Sequence, residues 1–340
     1  MLRHQHARVQ RPLHVAAGAR PPHDGRGKPR CTLCVEMMLA AGSKASWLDE
    51  NGRSPLERAA MVGCVPCIET LLRPRTCAAS MDNADAMCDQ QSKALVEAAG
   101  INSETSVRAL LSPASATSAG PVDLPRESRL GPALIEAVKE GAYDCITPLV
   151  EAGAALNPIG DASDGSRRLV PLLAAAEGKG STDKETDDRA PDVLRLLVKL
   201  GATVNTQSPS DGRSALHVSA SNGRCDCVQA LLKLGANPMA LDNDGESPLH
   251  RAASSHHAQT CRLLVNHITE ASGAATAAAA LLAKNKRDNN PLHSALLNCG
   301  WESSPEGTSC MSTLLRLLEA SGGAEAVAGT LRDKGGYYDH

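Results

Sequence analysis

Phenylalanine is absent from this chain of 340 residues, and the other aromatics are three tyrosines and two tryptophans. Burial must therefore come from Leu, Val, Ile, Met and Ala, whose thin layers suit closely packed helix pairs. Basic charge is not in excess either. The net charge is −3 and the isoelectric point about 6.4, so nothing marks a site for nucleic acid or an anionic membrane surface. No apolar run is long enough for a signal core or a membrane span, and no Asn-X-Ser/Thr sequon occurs. Twelve cysteines without those marks of secretion imply a reducing interior, the cytoplasm first and the nucleus second. The first twenty residues are rich in Arg and His and lack acids, as in an organelle transit peptide, yet Pro12–Ala17 already reads as repeat sequence.

Repetition is what the chain has in abundance. Ser247-Pro248-Leu249-His250, followed by Arg251-Ala252-Ala253, returns as Ser214-Ala215-Leu216-His217, Asn290-Pro291-Leu292-His293, Ser54-Pro55-Leu56-Glu57 and Arg11-Pro12-Leu13-His14. The serine is a favoured N-cap, the proline fits the first helical position, and the leucine and alanines set an apolar stripe. This first helix should stop at a glycine such as Gly63, Gly141 or Gly223. A second stripe follows, as in Val228–Leu232 or Ile68–Leu72, and ends at Gly153-Ala154, Gly201-Ala202 or Gly235-Ala236. Next comes a polar segment such as Asp242-Asn243-Asp244-Gly245, suited to a tight β-turn.

Hairpin, helix, tight turn, helix is the order of the ankyrin repeat, and the chain resembles that family at the quoted tetrads and Gly-Ala ends over roughly residues 11 to 340. The resemblance is strongest at 205–266 and weakest at 93–111, where Lys93-Ala94-Leu95-Val96 replaces the tetrad. It implies an α-dominated repeat solenoid with short β-hairpin fingers. The expected layout is an N-terminal segment 1–10, repeats one to three over 11–111, a Ser/Ala/Pro-rich hinge or long finger at 112–130, repeats four to eight over 131–331, and a partial ninth at 332–340.

The tetrad leucines 13, 56, 95, 134, 172, 216, 249 and 292 serve as a ruler. Measured from each to the first residue of the second helix's closing pair (Met38, Leu71, Leu110, Leu149, Leu197, Leu231, Leu264, Leu317), the distance is 15 in five repeats and 25 in repeats one, five and eight. Three ten-residue inserts follow, around Ala19–Leu33, Gly178–Ala190 and Gly300–Met311, and their composition predicts loops. Extra length at Arg73–Ser92, Ser112–Leu130 and His267–Lys286 should lengthen fingers or second helices, with Ala274–Ala283 forming a short helix of its own.

Cys31-x-x-Cys34 and Cys64-x-x-Cys67 could together supply four thiolates to zinc. Register argues instead for core packing, because Cys34, Cys67, Cys145 and Cys227 share one slot of the second helix and such slots lie about 10 Å apart in neighbouring repeats. No metal is assigned, and a zinc-stabilised protein is the remote alternative. His14, His217, His250 and His293 recur in register and so are structural, tying neighbouring repeats as the resemblance implies. His256-His257 with Cys261 reads as an exposed turn rather than a metal site. Gly178-Lys179-Gly180-Ser181-Thr182 fails as a phosphate loop, since Gly180 separates lysine from hydroxyl, and Asp183, Glu185, Asp187 and Asp188 read as a solvated face.

With no catalytic constellation and no cofactor, the sequence points to a non-enzymatic scaffold that binds protein partners, without nucleic acid, membrane span or small-molecule substrate. The alternative is a regulatory or substrate-recruiting arm of a larger enzyme or channel. By resemblance, partners would meet the finger tips, here Asn51, Arg53, Asp211, Arg213, Asn243, Asp244, Glu246, Asp288 and Asn289. They would also meet the outer positions of first helices, here Arg58, Met61, Val218, Asn222, Arg251 and Ser254.

Overall fold

Pro12, Pro55, Pro171, Pro248 and Pro291 each open a helix, where the missing N–H costs no hydrogen bond. The computed structural model describes residues 12–18, 30–73, 84–112, 126–157, 170–178, 184–297 and 305–320. Contacts divide the chain into two units, Met1–Ala155 and Leu156–His340. The expected segments 1–10 and 332–340, and most of 112–130, lie outside the described residues.

The first unit holds α1 (Pro12–Ala17), α2 (Arg30–Ala40), α3 (Pro55–Val62), α4 (Val65–Leu72), α5 (Ala84–Gly100), α6 (Glu104–Leu111), α7 (Arg126–Lys139) and α8 (Tyr143–Glu151). Odd-numbered helices pack on one another in one layer, even-numbered helices in a second, and each odd helix on the even one that follows. Helices α5 and α7, on either side of the expected hinge, pack together.

The second unit repeats this pairing with α9 (Pro171–Glu177), α10 (Lys184–Lys199), α11 (Ala215–Ser221), α12 (Cys225–Lys233), α13 (Pro248–Ser254), α14 (Ala258–Ser272), α16 (Pro291–Leu297) and α17 (Pro305–Ala320). The Ala/Leu-rich segment forms the additional helix α15 (Ala274–Leu282), which packs on α14. Leu56, Leu95, Leu134, Leu172, Leu216, Leu249 and Leu292 are all buried between layers.

Two turns repeat with the helices. At the end of five first helices the chain takes a left-handed residue: Gly63, Asn102, Gly141, Gly223 and His256, with φ 74, 53, 66, 67 and 61°. The next N–H reaches back to close the helix, as from Cys64 to Ala59 O and from His257 to Ala252 O. His256 thus stands in the glycine place, and His257 Nε2 hydrogen-bonds with the Ser221 carbonyl at 3.0 Å. At the far end of the second helix, Ala154, Ala202 and Ala236 donate to the carbonyls of Leu149, Leu197 and Leu231, so the Gly-Ala pair acts as a helix stop.

Four expectations change. The fingers are not β-hairpins among the described residues: the only strand-like pairing there is an antiparallel bridge between Gln207 and Ser214. Side-chain turns replace the ladder, as described below. The inserts are not wholly loops, because α2, α10 and α17 begin inside them at Arg30, Lys184 and Pro305 and extend the second helix backwards. Extra length before repeats three and four lengthens first helices, α5 and α7, rather than fingers or second helices. Burial also shifts the register of two repeats. Val35 and Leu314 are fully buried whereas Met38 and Leu317 are half-buried, so the distances become 22 (35 − 13) and 22 (314 − 292), and only repeat five keeps 25.

Candidate partner-binding surface

A carboxylate or amide at the base organises three of the described fingers. Asp242 Oδ1 accepts the N–H groups of Asp244 and Glu246, each at 2.9 Å, and the main chain closes from Asp242 N to Glu246 O at 3.0 Å. Asp49 does the same for Asn51 and Arg53, and Asn285 for Arg287 and Asn289. In these three fingers the polar segment before the helix is therefore a turn held by its own first side chain.

Histidine then fastens one finger to the preceding helix. Nδ1 of His217 accepts the Ser214 N–H at 3.1 Å, which leaves Nε2–H to donate to the Ala240 and Glu246 carbonyls, both at 3.1 Å. His250 reaches the Ala283 and Asn289 carbonyls at 3.1 and 3.2 Å, and His14 the Trp47 and Arg53 carbonyls at 3.0 and 3.1 Å. Nδ1 of His293 likewise accepts the Asn290 N–H, at 3.4 Å. In the second unit successive fingers also join directly, Asn243 N to Asp211 O at 2.9 Å and Lys286 N to Asp244 O at 3.0 Å. Gly212 permits this approach, since at its φ of 70° a Cβ would sit 2.8 Å from the Asn243 backbone nitrogen.

The guanidinium of Arg251 closes the charge on this lattice. It binds Asp242 with Nε at 2.9 Å, Asp244 at 2.8 Å and Glu246 at 2.9 Å, with its own side chain 15% exposed and that of Asp242 fully buried. Burial alone would raise the Asp242 carboxyl, but the Arg251 hydrogen bond and charge and the Glu246 and Asp244 N–H groups hold it below the usual value. Arg58 makes the same contact with Asp49 at 2.7 Å.

The expected binding residues therefore fall into separate groups. Asn51, Asn222, Asn243, Asp244 and Asp288 are exposed. Arg53, Arg58, Met61, Asp211, Arg213, Val218, Glu246, Arg251 and Ser254 are half-buried, and both Arg58 and Arg251 are engaged by their own fingers. Asn289 is a correction: only 7% exposed, it lies beneath the finger with its carbonyl on His250. Sequence reasoning named Met61 and Val218 but missed three more exposed apolar residues of this surface. Leu48 and Leu241 hold the same place, one residue before Asp49 and Asp242, and are 46% and 54% exposed; Val15, in the outward slot of α1, is 51% exposed. A leucine inside a polar turn segment was the available signal.

Burial of the neutral imidazoles has a consequence for pH. Desolvation lowers the pKa of His217 and of His250 below the ordinary 6.5, against the raising pull of Asp242 and the bonded carbonyls. Between the folded and unfolded values the unfolded chain binds more protons, so stability falls as pH falls below 6.5. The expected slope reaches about 1.4 kcal/mol per pH unit for each histidine. Denaturant melts from pH 7.5 to about 5 measure it, and a flat profile contradicts it.

The cysteines need correction as well. Cys34 is exposed, whereas Cys31 is buried and occupies the slot assigned to Cys34. Cys31 Sγ lies 3.6 Å from Cys64 Sγ, so residues of adjacent repeats are not held about 10 Å apart at this point. Gly178 ends α9, and residues 179–183 of the rejected phosphate loop lie outside the described residues.

Comparison with known proteins agrees with this geometry. A family model described as ankyrin repeats (3 copies) matches residues 134–242 and 172–272. Residues 134–272 of the chain are thus ankyrin repeats. It is 32% identical over 134 residues to the E3 ubiquitin-protein ligase KEG of Arabidopsis thaliana, covering 39% of this chain and 7% of that protein. Neurogenic locus notch homolog protein 2 of Homo sapiens is 32% identical over 107 residues, which is 30% of this chain and 4% of the relative. Rabankyrin-5 of Homo sapiens is 37% identical over 83 residues, 21% of this chain and 7% of that protein. The chain thus matches less than a tenth of each of these relatives. Among the described residues no helix is long and apolar enough to cross a membrane.

Proposed function

We propose that the chain is a non-enzymatic scaffold whose fingers and first helices bind partner proteins, with an array of eight repeats as the frame. One observation carries this reading. In the second unit, finger backbones are locked to each other and to the preceding helix, yet Leu241, Asn243, Asp244 and Asp288 remain exposed at their tips. A surface ordered before binding loses little conformational entropy on association, which favours recognition. Exposed leucine beside amide and carboxylate suits a partner that offers both an apolar side chain and hydrogen-bond donors.

The test is affinity capture from a native extract with the immobilised full chain, read by mass spectrometry. Leu241→Asp combined with Asn243→Ala is expected to lower capture of at least one protein by about tenfold or more without lowering the melting temperature. Equal capture of every protein by the folded variant would overturn the assignment of this surface.

A second reading, a regulatory or substrate-recruiting arm of a larger protein, draws support from the far greater length of the matched relatives, one of which is named as a ubiquitin ligase. An antibody to α12–α14 distinguishes it: a band near 35.4 kDa in native extract favours the scaffold, and a much larger band favours the arm.

A further inference from the structure

Sulfur converges on one point of the first unit in a way the repeat itself does not require. Three residues after its N-cap, each second helix asks only for a small side chain facing inward, and Ser106, Cys145, Cys227 and Thr260 fill that place as well as Cys67 does. The N-cap before these helices is Ser103, Ala142, Arg224 and His257, but before α4 it is Cys64. Neighbouring α2 contributes Cys31 at the facing position. Cys145 and Cys227 therefore lack the two sulfur neighbours that Cys67 has. The three sulfur atoms lie within 4.8 Å of one another, and the residues are 5%, 0% and 0% exposed.

We propose that Cys31, Cys64 and Cys67 bind one soft, closed-shell metal cation as thiolates. Sulfur bonds of about 2.3 Å place three ligands about 3.8 Å apart in tetrahedral and about 4.0 Å apart in trigonal geometry. The observed triangle, with 3.6 Å between Cys31 and Cys64 and no separation above 4.8 Å, accommodates either with small side-chain adjustments. Each thiol gives up its proton as it ligates, so three protons leave per ion and no electron is transferred. Thiolate softness selects zinc(II) or copper(I) and rejects magnesium and calcium. Copper(I) is satisfied by three sulfurs, whereas zinc(II) adds water or another donor as a fourth ligand. In either case the ion clips α2 to the corner between α3 and α4, adding to their packing and to the Arg73–Glu36 ion pair at 3.3 Å.

The test uses the full chain, kept reduced and stripped with a chelator, then given one equivalent of zinc(II) in one arm and of copper(I) in the other before desalting. About one ion per chain is expected to remain in at least one arm, and that arm identifies the cation. The bound ion should raise the melting temperature of the wild type, since only the folded chain brings the three thiols together and so binds it more tightly than the unfolded chain does. Cys34→Ala and Cys145→Ala should retain the ion, whereas Cys31→Ala and Cys64→Ala should lose about tenfold or more of it. Circular dichroism of the stripped variants separates loss of the site from loss of the fold. A folded wild type that retains no ion and shows no thermal shift in either arm would overturn the proposal, as would Cys31→Ala with wild-type metal content.

Discussion

Leu249→Ala is expected to lower the free energy of unfolding by about 2–5 kcal/mol. Leu249 is 1% exposed at the start of α13, which packs on α11, α14 and α16. Truncation leaves a cavity shared by three neighbours, and none of them can collapse into it without leaving its own contacts. In a stack, stability is the sum of weak units and the interfaces between them, so damage to one interface should melt adjacent pairs together. Leu216→Ala should behave alike, since Leu216 is also 1% exposed in α11. Chemical denaturation followed by circular dichroism measures both, and a loss below about 1 kcal/mol would contradict the core assignment.

Asp242→Ala is expected to cost about 3–5 kcal/mol, from two lost turn hydrogen bonds together with a broken buried ion pair. The carboxylate is fully buried, holds Arg251 and caps two backbone N–H groups of its own finger. Alanine removes all of these at once and leaves Arg251, 15% exposed, with only the carboxylates of Asp244 and Glu246. Asp242→Asn should cost markedly less, because an amide oxygen still accepts from both N–H groups, as Asn285 does in the next finger. Equal losses in the two variants would assign the effect to the ion pair rather than to the turn. A pH dependence should accompany the wild type. Its lowered Asp242 pKa adds stability above the ordinary 3.8, and that stability is lost as pH falls through the folded value.

Helix pairing was legible in the sequence because its determinants are local. A tetrad of Ser, Pro, Leu and His names the cap, the first turn and the buried face, and a glycine names the stop. The histidine's role was legible through register and resemblance together. Finger structure was not, because Asp242, Asp49 and Asn285 replace strand pairing with hydrogen bonds from one side chain, a choice that composition does not distinguish from a hairpin. Register failed in α2 because Met38-Leu39 imitates the closing pair of other repeats while Cys31 and Val35 do the burying. That three-residue slip hid the sulfur cluster, since it placed Cys34 where Cys31 belongs. The surface was half legible: polar tips could be read off the turns, but Arg251 and Asn289 are consumed by the frame, and the exposed Leu48 and Leu241 were not singled out.

Hydrogen exchange read by mass spectrometry, comparing wild type with Leu249→Ala, tests the stacked architecture most directly. The account predicts faster exchange across α11–α14 and α16, with α1–α4 unchanged. Acceleration confined to α13 alone, or spread evenly over every described helix, would contradict it.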